Sequence, residues 1–162
     1  MNKNDLHIKN LESEIERLRS EVLKYKFDNL TRLPMRHDFM VRVDNATDEL
    51  IMFGKHFTLA MIDINNLKKI NTEYGYIYGD SYIKRVADNL IKVFHDCNIY
   101  RIGGDEFCLI KIGHRDNDVK ERLETISDIE FGLLNTDELS SPNINTKELI
   151  TIADNIIKKK KG

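Results

Sequence analysis

The chain has 162 residues, enough for one ordinary domain and too few for two full ones. Apolar residues make up 41% and charged residues 32%, and the formal charge is only -2. This excludes simple disorder and leaves no global basic footprint for nucleic acid or anionic lipid.

The polar N-terminus lacks the apolar core of a signal peptide, and no apolar run approaches the length of a membrane span. Residues 5–27 contain no Gly or Pro, and Ile8, Leu11, Ile15, Leu18, Val22 and Tyr25 recur at alternating spacings of three and four. That is a heptad seam, with β-branched Ile8, Ile15 and Val22 at a and Leu11 and Leu18 at d, a distribution that favours two parallel strands. In this register Glu14 faces the partner's Arg19, and Glu21 faces the partner's Lys26. The alternative is an amphipathic helix packed on its own domain, since a coil of about three heptads is marginal alone. The expected division is a dimerising helix over 1–27 and a compact domain over 28–162.

After Leu33-Pro34 the pattern becomes mixed. Residues 36–53 predict a helix, and 57–63, FTLAMID, is a continuous apolar run ending in an acid, as in a buried strand. Residues 79–95 predict a helix with Ile83, Val86, Ala87, Leu90 and Phe94 on one face. Segments 98–102 and 107–112 flank Gly103-Gly104-Asp105-Glu106 and predict a hairpin. A helix over 116–126, a strand over 129–134 and a last helix over 147–161, with Leu149, Ile152 and Ile156 inward, complete the pattern. The expected fold class is α+β, a sheet layered by helices. Cys97 and Cys108 are too few for a disulfide framework and read as small fillers, and the five histidines show no ligand spacing.

Asp63 ends a buried strand, and Asp105 and Glu106 sit at a hairpin tip. Carboxylates placed so can converge on Mg²⁺, and glycines beside them admit a phosphate or base close to the backbone. Lys68 could meet a phosphate as a point charge. Asn71 and Asp80 are expected to flank a Gly75/Gly79 loop that enters a helix, where an amide and a carboxylate could read a purine edge. Asp28 and Arg36 are expected to pair and fix the turn after the first helix. Tyr74, Tyr76 and Tyr78 are weighed as loop packing against base stacking, with packing preferred.

With these residues in hand, the sequence resembles the GGDEF family, the diguanylate cyclases. RIGGDEF at 101–107 carries the family signature intact. DNLTRLPMR at 28–36 is similar to its entry motif, departing at Arg32, where Gly is usual, and at Met35. DINNLKKINTEYGYIYGD at 63–80 is similar to its strand-end and Gly-His-x-x-Gly-Asp block, and Ala153-Asp154 to the Ala-Asp of its last helix. The resemblance implies a palm-like, nucleotidyl-cyclase-like fold with a central, mostly antiparallel sheet flanked by helices. It implies an Mg²⁺ site (Mn²⁺ being the alternative ion) at Asp63, the Ile64 carbonyl, Asp105 and Glu106. Asp105 or Glu106 would assist deprotonation of the attacking 3′-hydroxyl. Lys68 and Lys161 would contact phosphates, Asn71 and Asp80 the guanine, and Gly103 and Gly104 the substrate along the hairpin. The implied reaction joins two GTP into cyclic di-GMP across a homodimer, in the cytoplasm, with no nucleic acid or membrane as partner.

Departures bear on these expectations. Asn65 replaces a second Asp, Leu67 a Phe, Thr72 an Asp and Tyr76 a His. The family's inhibitory product site, Arg-x-x-Asp, would fall at 94 and 97, where Phe94 and Cys97 stand, so no product site is expected. Lys161 aligns with the lysine of the last helix, but the arginine that follows a glycine there has no counterpart up to Gly162. Three alternatives stay open: a degenerate domain binding GTP or a cyclic dinucleotide as a non-catalytic dimeric scaffold, a same-fold synthase of another cyclic dinucleotide, and a coiled-coil adaptor whose α+β domain is only structural. Asp80 argues against an adenine-containing product, because adenine N1 is an acceptor and would face the carboxylate unpaired.

Overall fold

A computed structural model describes the backbone of residues 3–113, 117–139 and 145–161. In chain order the elements are α1 (Lys3–Lys26), α2 (Arg36–Phe53), β1 (Phe57–Ile64), α3 (Leu67–Tyr74), α4 (Tyr76–Val93), β2 (Asn98–Arg101), β3 (Glu106–Ile112), α5 (Asn117–Glu124), β4 (Ile129–Asn135) and α6 (Thr146–Lys161). The strands form one antiparallel sheet of order β2-β3-β1-β4. β1 lies inside that sheet and under helices on both faces, which is why its sequence runs apolar without alternating.

Strand parity divides the core in two. Ala60, Ile62 and Ile64 of β1 join Phe107 and Leu109 of β3 on one face, covered by Ile83, Val86, Ala87 and Leu90 of α4 and by Val119 and Leu123 of α5. Phe57, Leu59 and Met61 join Cys108 and Ile110 on the other face, under Phe39, Val43 and Ala46 of α2 and Leu149 and Ala153 of α6. The helical positions are the apolar stripes of amphipathic helices, and fully burying one of the large aliphatic or phenylalanine side chains is worth about 1.5–3 kcal/mol. Ile152 and Ile156 pack against the second cluster, as their spacing predicts. Cys108 is fully buried and Cys97 half-buried.

The α+β class and the sheet with flanking helices are as expected, and α2 has the predicted bounds. It stops at Gly54, whose φ of 63° lets its N–H reach back to the Glu49 and Leu50 carbonyls. One segment differs. The expected Gly75/Gly79 loop is two helices, α3 and α4, that meet at Gly75 with φ 84°. Gly79 lies inside α4, with an ordinary helical backbone, so its glycine serves space rather than turning. The exposure of the tyrosines also differs from expectation: Tyr74, Tyr76 and Tyr78 are solvent-exposed, so they do not pack a loop.

The seam residues Ile8, Leu11, Ile15, Leu18 and Val22 are all exposed along α1, and the Tyr25 side chain lies outside the described residues. Within one helix Arg17 bridges Glu14 and Glu21. No described helix is long and apolar enough to cross a membrane.

Candidate active site

The chain enters the domain through a tight arch that is fastened to the signature hairpin. Asp28 accepts hydrogen bonds from the Thr31 N–H and hydroxyl at 2.8 and 2.7 Å. It also forms a 2.7 Å ion pair with Arg101, which stands just before the two glycines. The expected Asp28–Arg36 pair is therefore replaced by Asp28–Arg101, because the arch folds back to form a bridge between Met35 and Arg101. Burial pushes the Asp28 carboxyl up, but the hydrogen bonds from Arg101 and Thr31 outweigh it and hold the group below the usual carboxylate range. The other arms of the same guanidinium donate to the carbonyls of Gly103 at 3.2 Å and Gly104 at 2.7 Å. One side chain thus ties the arch to the hairpin tip. Arg32, in the same arch, holds φ at 61°, a left-handed conformation in which the glycine usual there would sit unstrained.

The hairpin tip meets the end of β1. The Ile64 N–H donates to the Asp105 carbonyl at 2.9 Å, and Asp63 is the register partner of Glu106. On its other side Asp63 is the register partner of Glu130 in β4. Glu106, Asp63 and Glu130 therefore form a row across three strands, on the face that carries Leu59 and Met61. One carboxylate oxygen of Glu130, Oε2, is buried without a hydrogen-bond partner. A buried acceptor left unpaired next to other carboxylates is costly unless positive charge is supplied.

A pocket of about 540 Å³ opens beside the tip. Leu67, Lys68, Asn71 and Thr72 of α3 form one wall, Tyr76 and Ile83 of α4 another, and Arg101, Gly104 and Asp105 the third. Gly79 sets the closeness of the two helices: a Cβ there would collide with the Asn71 amide, coming within 2.9 Å of its Cγ. Asn71 is thereby held against α4. Asp80 lies on the α4 stripe between Tyr76 and Ile83, exposed. Gly103 sits under Glu106, whose Oε2 is 2.5 Å from where a Cβ would stand.

The pocket thus brings together Lys68, Asn71, Gly104 and Asp105, while Asp80 is not among its lining residues and shares the α4 stripe of Tyr76 and Ile83, which are. Asp63, Ile64, Gly103 and Glu106 adjoin it at the strand ends. The Lys161 side chain lies outside the described residues, as does that of Asp154. Arg101 and Glu130 carry no motif signal of a site role: Arg101 lies within the signature, yet its role depends on Asp28 far away in sequence, whereas Tyr76 is already weighed between packing and base stacking from the sequence.

Among the described residues no three His, Cys, Asp or Glu side chains converge closely enough to hold an ion by themselves. The donor set is nonetheless all hard oxygen, and the orphaned Glu130 oxygen marks this sheet end as short of positive charge. Mg²⁺ is commonly held by one or two carboxylates, with substrate phosphates and water completing the shell. The residues fit that mode.

At 94 and 97, where the family's product-site motif would fall, the side chains are engaged in packing, with ion pairs nearby. Phe94 is fully buried, and the Arg122 guanidinium lies 4.4 Å from its ring centroid. Arg122 donates to the Val93 carbonyl and pairs with Asp96 at 2.6 Å and Asp118 at 2.9 Å. Burial and the neighbouring Asp96 push the Cys97 thiol up to about 12, which keeps it protonated and unreactive.

A profile described as "Diguanylate cyclase, GGDEF domain" matches residues 25–161. The chain is 36% identical over 102 residues to diguanylate cyclase VdcA of Vibrio cholerae, covering 60% of this chain and 29% of that protein. It is 34% identical over 84 residues to the bifunctional diguanylate cyclase/cyclic di-GMP phosphodiesterase MucR of Pseudomonas aeruginosa, covering 51% of this chain and 12% of that protein. The chain therefore spans less than a third of either relative. Its fold is similar to that of the coiled coil and GGDEF domain of DgcB from Caulobacter crescentus, solved in complex with c-di-GMP. The TM-score is 0.81 at 23% identity, over 99% of this chain and 95% of that one. Signature, fold and profile agree, and the chain belongs to the GGDEF family.

Proposed function

We propose that the chain is a diguanylate cyclase module, joining two GTP into cyclic di-GMP with release of two pyrophosphates. The observation that carries this reading is the pocket between α3 and α4, where Lys68, Asn71 and Asp105 meet beside the signature hairpin. Asn71 and Asp80 bind the guanine edge, Asp80 accepting from N1–H and the N2 amine together. Lys68 meets the triphosphate as a point charge, and it makes no ion pair with any described residue that would compete. Gly103 and Gly104 let the nucleotide approach the hairpin backbone. Asp63, the Ile64 carbonyl, Asp105 and Glu106 would hold Mg²⁺, which supplies countercharge to the triphosphate and acidifies a nearby hydroxyl when bound.

In the reaction the 3′-oxygen of one GTP forms a bond to the α-phosphorus of the other. The bond to pyrophosphate breaks, and the hydroxyl proton passes to Asp105 or Glu106. The same exchange in the opposite sense closes the ring. Two sites must face each other, so a second copy is required. The exposed seam of α1 supports a parallel coiled coil over 1–27 that keeps the copies together, raising the partner's effective concentration to the order of millimolar for a short linker. A cytoplasmic location belongs to the same reading.

The test is to incubate the purified protein with Mg²⁺ and either GTP or ATP and identify the products by mass spectrometry. Cyclic di-GMP is expected. Bound but unreacted GTP would instead favour the non-catalytic scaffold, and a product from ATP would move base reading away from Asp80. Ile15→Asp with Leu18→Asp should make specific activity rise steeply with enzyme concentration, while GTP affinity per site stays near normal.

A further inference from the structure

The junction of α3 and α4 leaves large apolar side chains in water: Tyr74 is 64% exposed, Tyr76 80%, Ile77 88% and Tyr78 50%. Two of them satisfy each other, since the Tyr74 and Tyr78 rings lie 5.0 Å apart. Ile77 does not line the pocket. Tyr76 does, and its ring makes no aromatic contact or hydrogen bond with any described residue. An unpartnered aromatic ring on the wall of this pocket is an apolar surface that a flat partner can cover.

Its place in the helix indicates that partner. Tyr76, Asp80 and Ile83 follow one another at spacings of four and three, so they share one stripe of α4. Ile83 is buried and lines the pocket, Asp80 stands between the two on the stripe, and the Asn71 amide lies against α4 where Gly79 has no side chain. We propose that Tyr76 is a base-stacking residue, whose ring covers one face of the purine while Asn71 and Asp80 hold its edge. This rests on the nucleotide reading given above and adds to it a division of labour. Every base has a π-face, so stacking on Tyr76 sets affinity without choosing the base, and Asp80 makes the choice.

The chain contains no tryptophan, so Tyr76→Trp places a lone indole on this wall. A non-hydrolysable GTP analogue should quench that indole saturably, whereas tripolyphosphate, which carries the charges without a base, should not. In Ile77→Trp, one residue along the helix, neither ligand should change the emission. By calorimetry, Tyr76→Ala should weaken the GTP and ATP analogues by the same factor, about tenfold, and Tyr76→Phe should stay close to wild type. Saturable calorimetric binding of the GTP analogue with no quenching at position 76, or with unchanged affinity in Tyr76→Ala, overturns the stacking role and leaves the nucleotide site standing. Wild-type protein that binds no analogue at all removes the nucleotide site and the stacking role together.

Discussion

The two ends of α4 are built from similar residue types and treat them in opposite ways. Beyond the C-terminal end a cluster of charges is closed on itself. Arg122 is shared by Asp96, Asp118 and the Val93 carbonyl and lies over Phe94, and Lys111 reaches both acids as well. The hydrogen bond from Arg122 holds the Asp96 carboxyl far below the usual carboxylate range. At the N-terminal end, among the described residues, Lys68 has no ion pair and Tyr76 no ring partner, and across the sheet Glu130 keeps a buried oxygen without a donor. Groups that a folded chain leaves unsatisfied mark where a ligand supplies the missing partner. On the proposed reading the satisfied end is structure, and the unsatisfied end is the nucleotide site.

The largest effect that would sharpen this contrast is at the acids of the unsatisfied end. Asp63→Asn or Asp105→Asn should lower kcat by roughly 10²- to 10³-fold or more, with a near-normal melting temperature. The losses should not add, because both residues serve one step. A double variant far slower than either single, with each single retaining most activity, would separate the two residues and break the shared site. Gly79→Ala comes next. Its Cβ would displace the Asn71 amide, the far end of a flexible side chain, so the helix can accommodate it. Alanine is favoured over glycine in a helix interior by up to about 1 kcal/mol. Melting temperature should therefore hold or rise while GTP affinity falls about tenfold, opposite signs that a packing role for Gly79 would not produce.

The uneven legibility of the sequence follows the same physics. The bounds of α2, the apolar run of β1 and the hairpin around Gly103 and Gly104 rest on periodicity and turn residues within a short window, and the structure has them as read. The α3–α4 junction does not: its tyrosines and glycines suggest a loop, and the reason for Gly79 is a contact with Asn71 across two helices. Asp28 and Arg101 are 73 residues apart, so no local pattern announces the pair, whereas Arg36 stands nearby and invites the wrong one. Glu130 alternates with Phe131 as any strand residue does, and only the register opposite Asp63 exposes its position. The signature made the chemistry readable, but the side chains that hold it in place are non-local.

Smaller effects probe how the site is supported. The Asp28 carboxyl is held below its ordinary value in the fold. The stability it contributes is present above the unfolded carboxyl's range near pH ~4 and is lost as pH falls through the folded value. Asp28→Asn should therefore lower the melting temperature at pH 7 by several degrees and flatten its decline toward acid. It should also reduce turnover severalfold, because Arg101 would lose the anchor from which it fixes Gly103 and Gly104. An unchanged acid limb in the variant would place the titrating support elsewhere.

The smallest change in activity is expected at the satisfied end. Arg122→Ala removes donors from the Val93 carbonyl and Asp96 and uncovers the Phe94 ring, so it should cost about 1–2 kcal/mol of stability. That corresponds to roughly 2–8 °C in melting temperature for a domain of this size. Turnover should be unchanged, because no atom of this network lines the α3–α4 pocket. Product feedback tests the same region from the ligand's side. Phe94 fills the position where an arginine fork would grip the phosphates of a cyclic dinucleotide, and the guanidinium beside it is already committed to Asp96 and Asp118. Cyclic di-GMP at low micromolar concentration should therefore leave the rate unaffected in both wild type and Arg122→Ala. Strong non-competitive inhibition of the wild type that disappears in Arg122→Ala would show that this arginine is a ligand rather than a brace, and would erase the contrast between the two ends of α4.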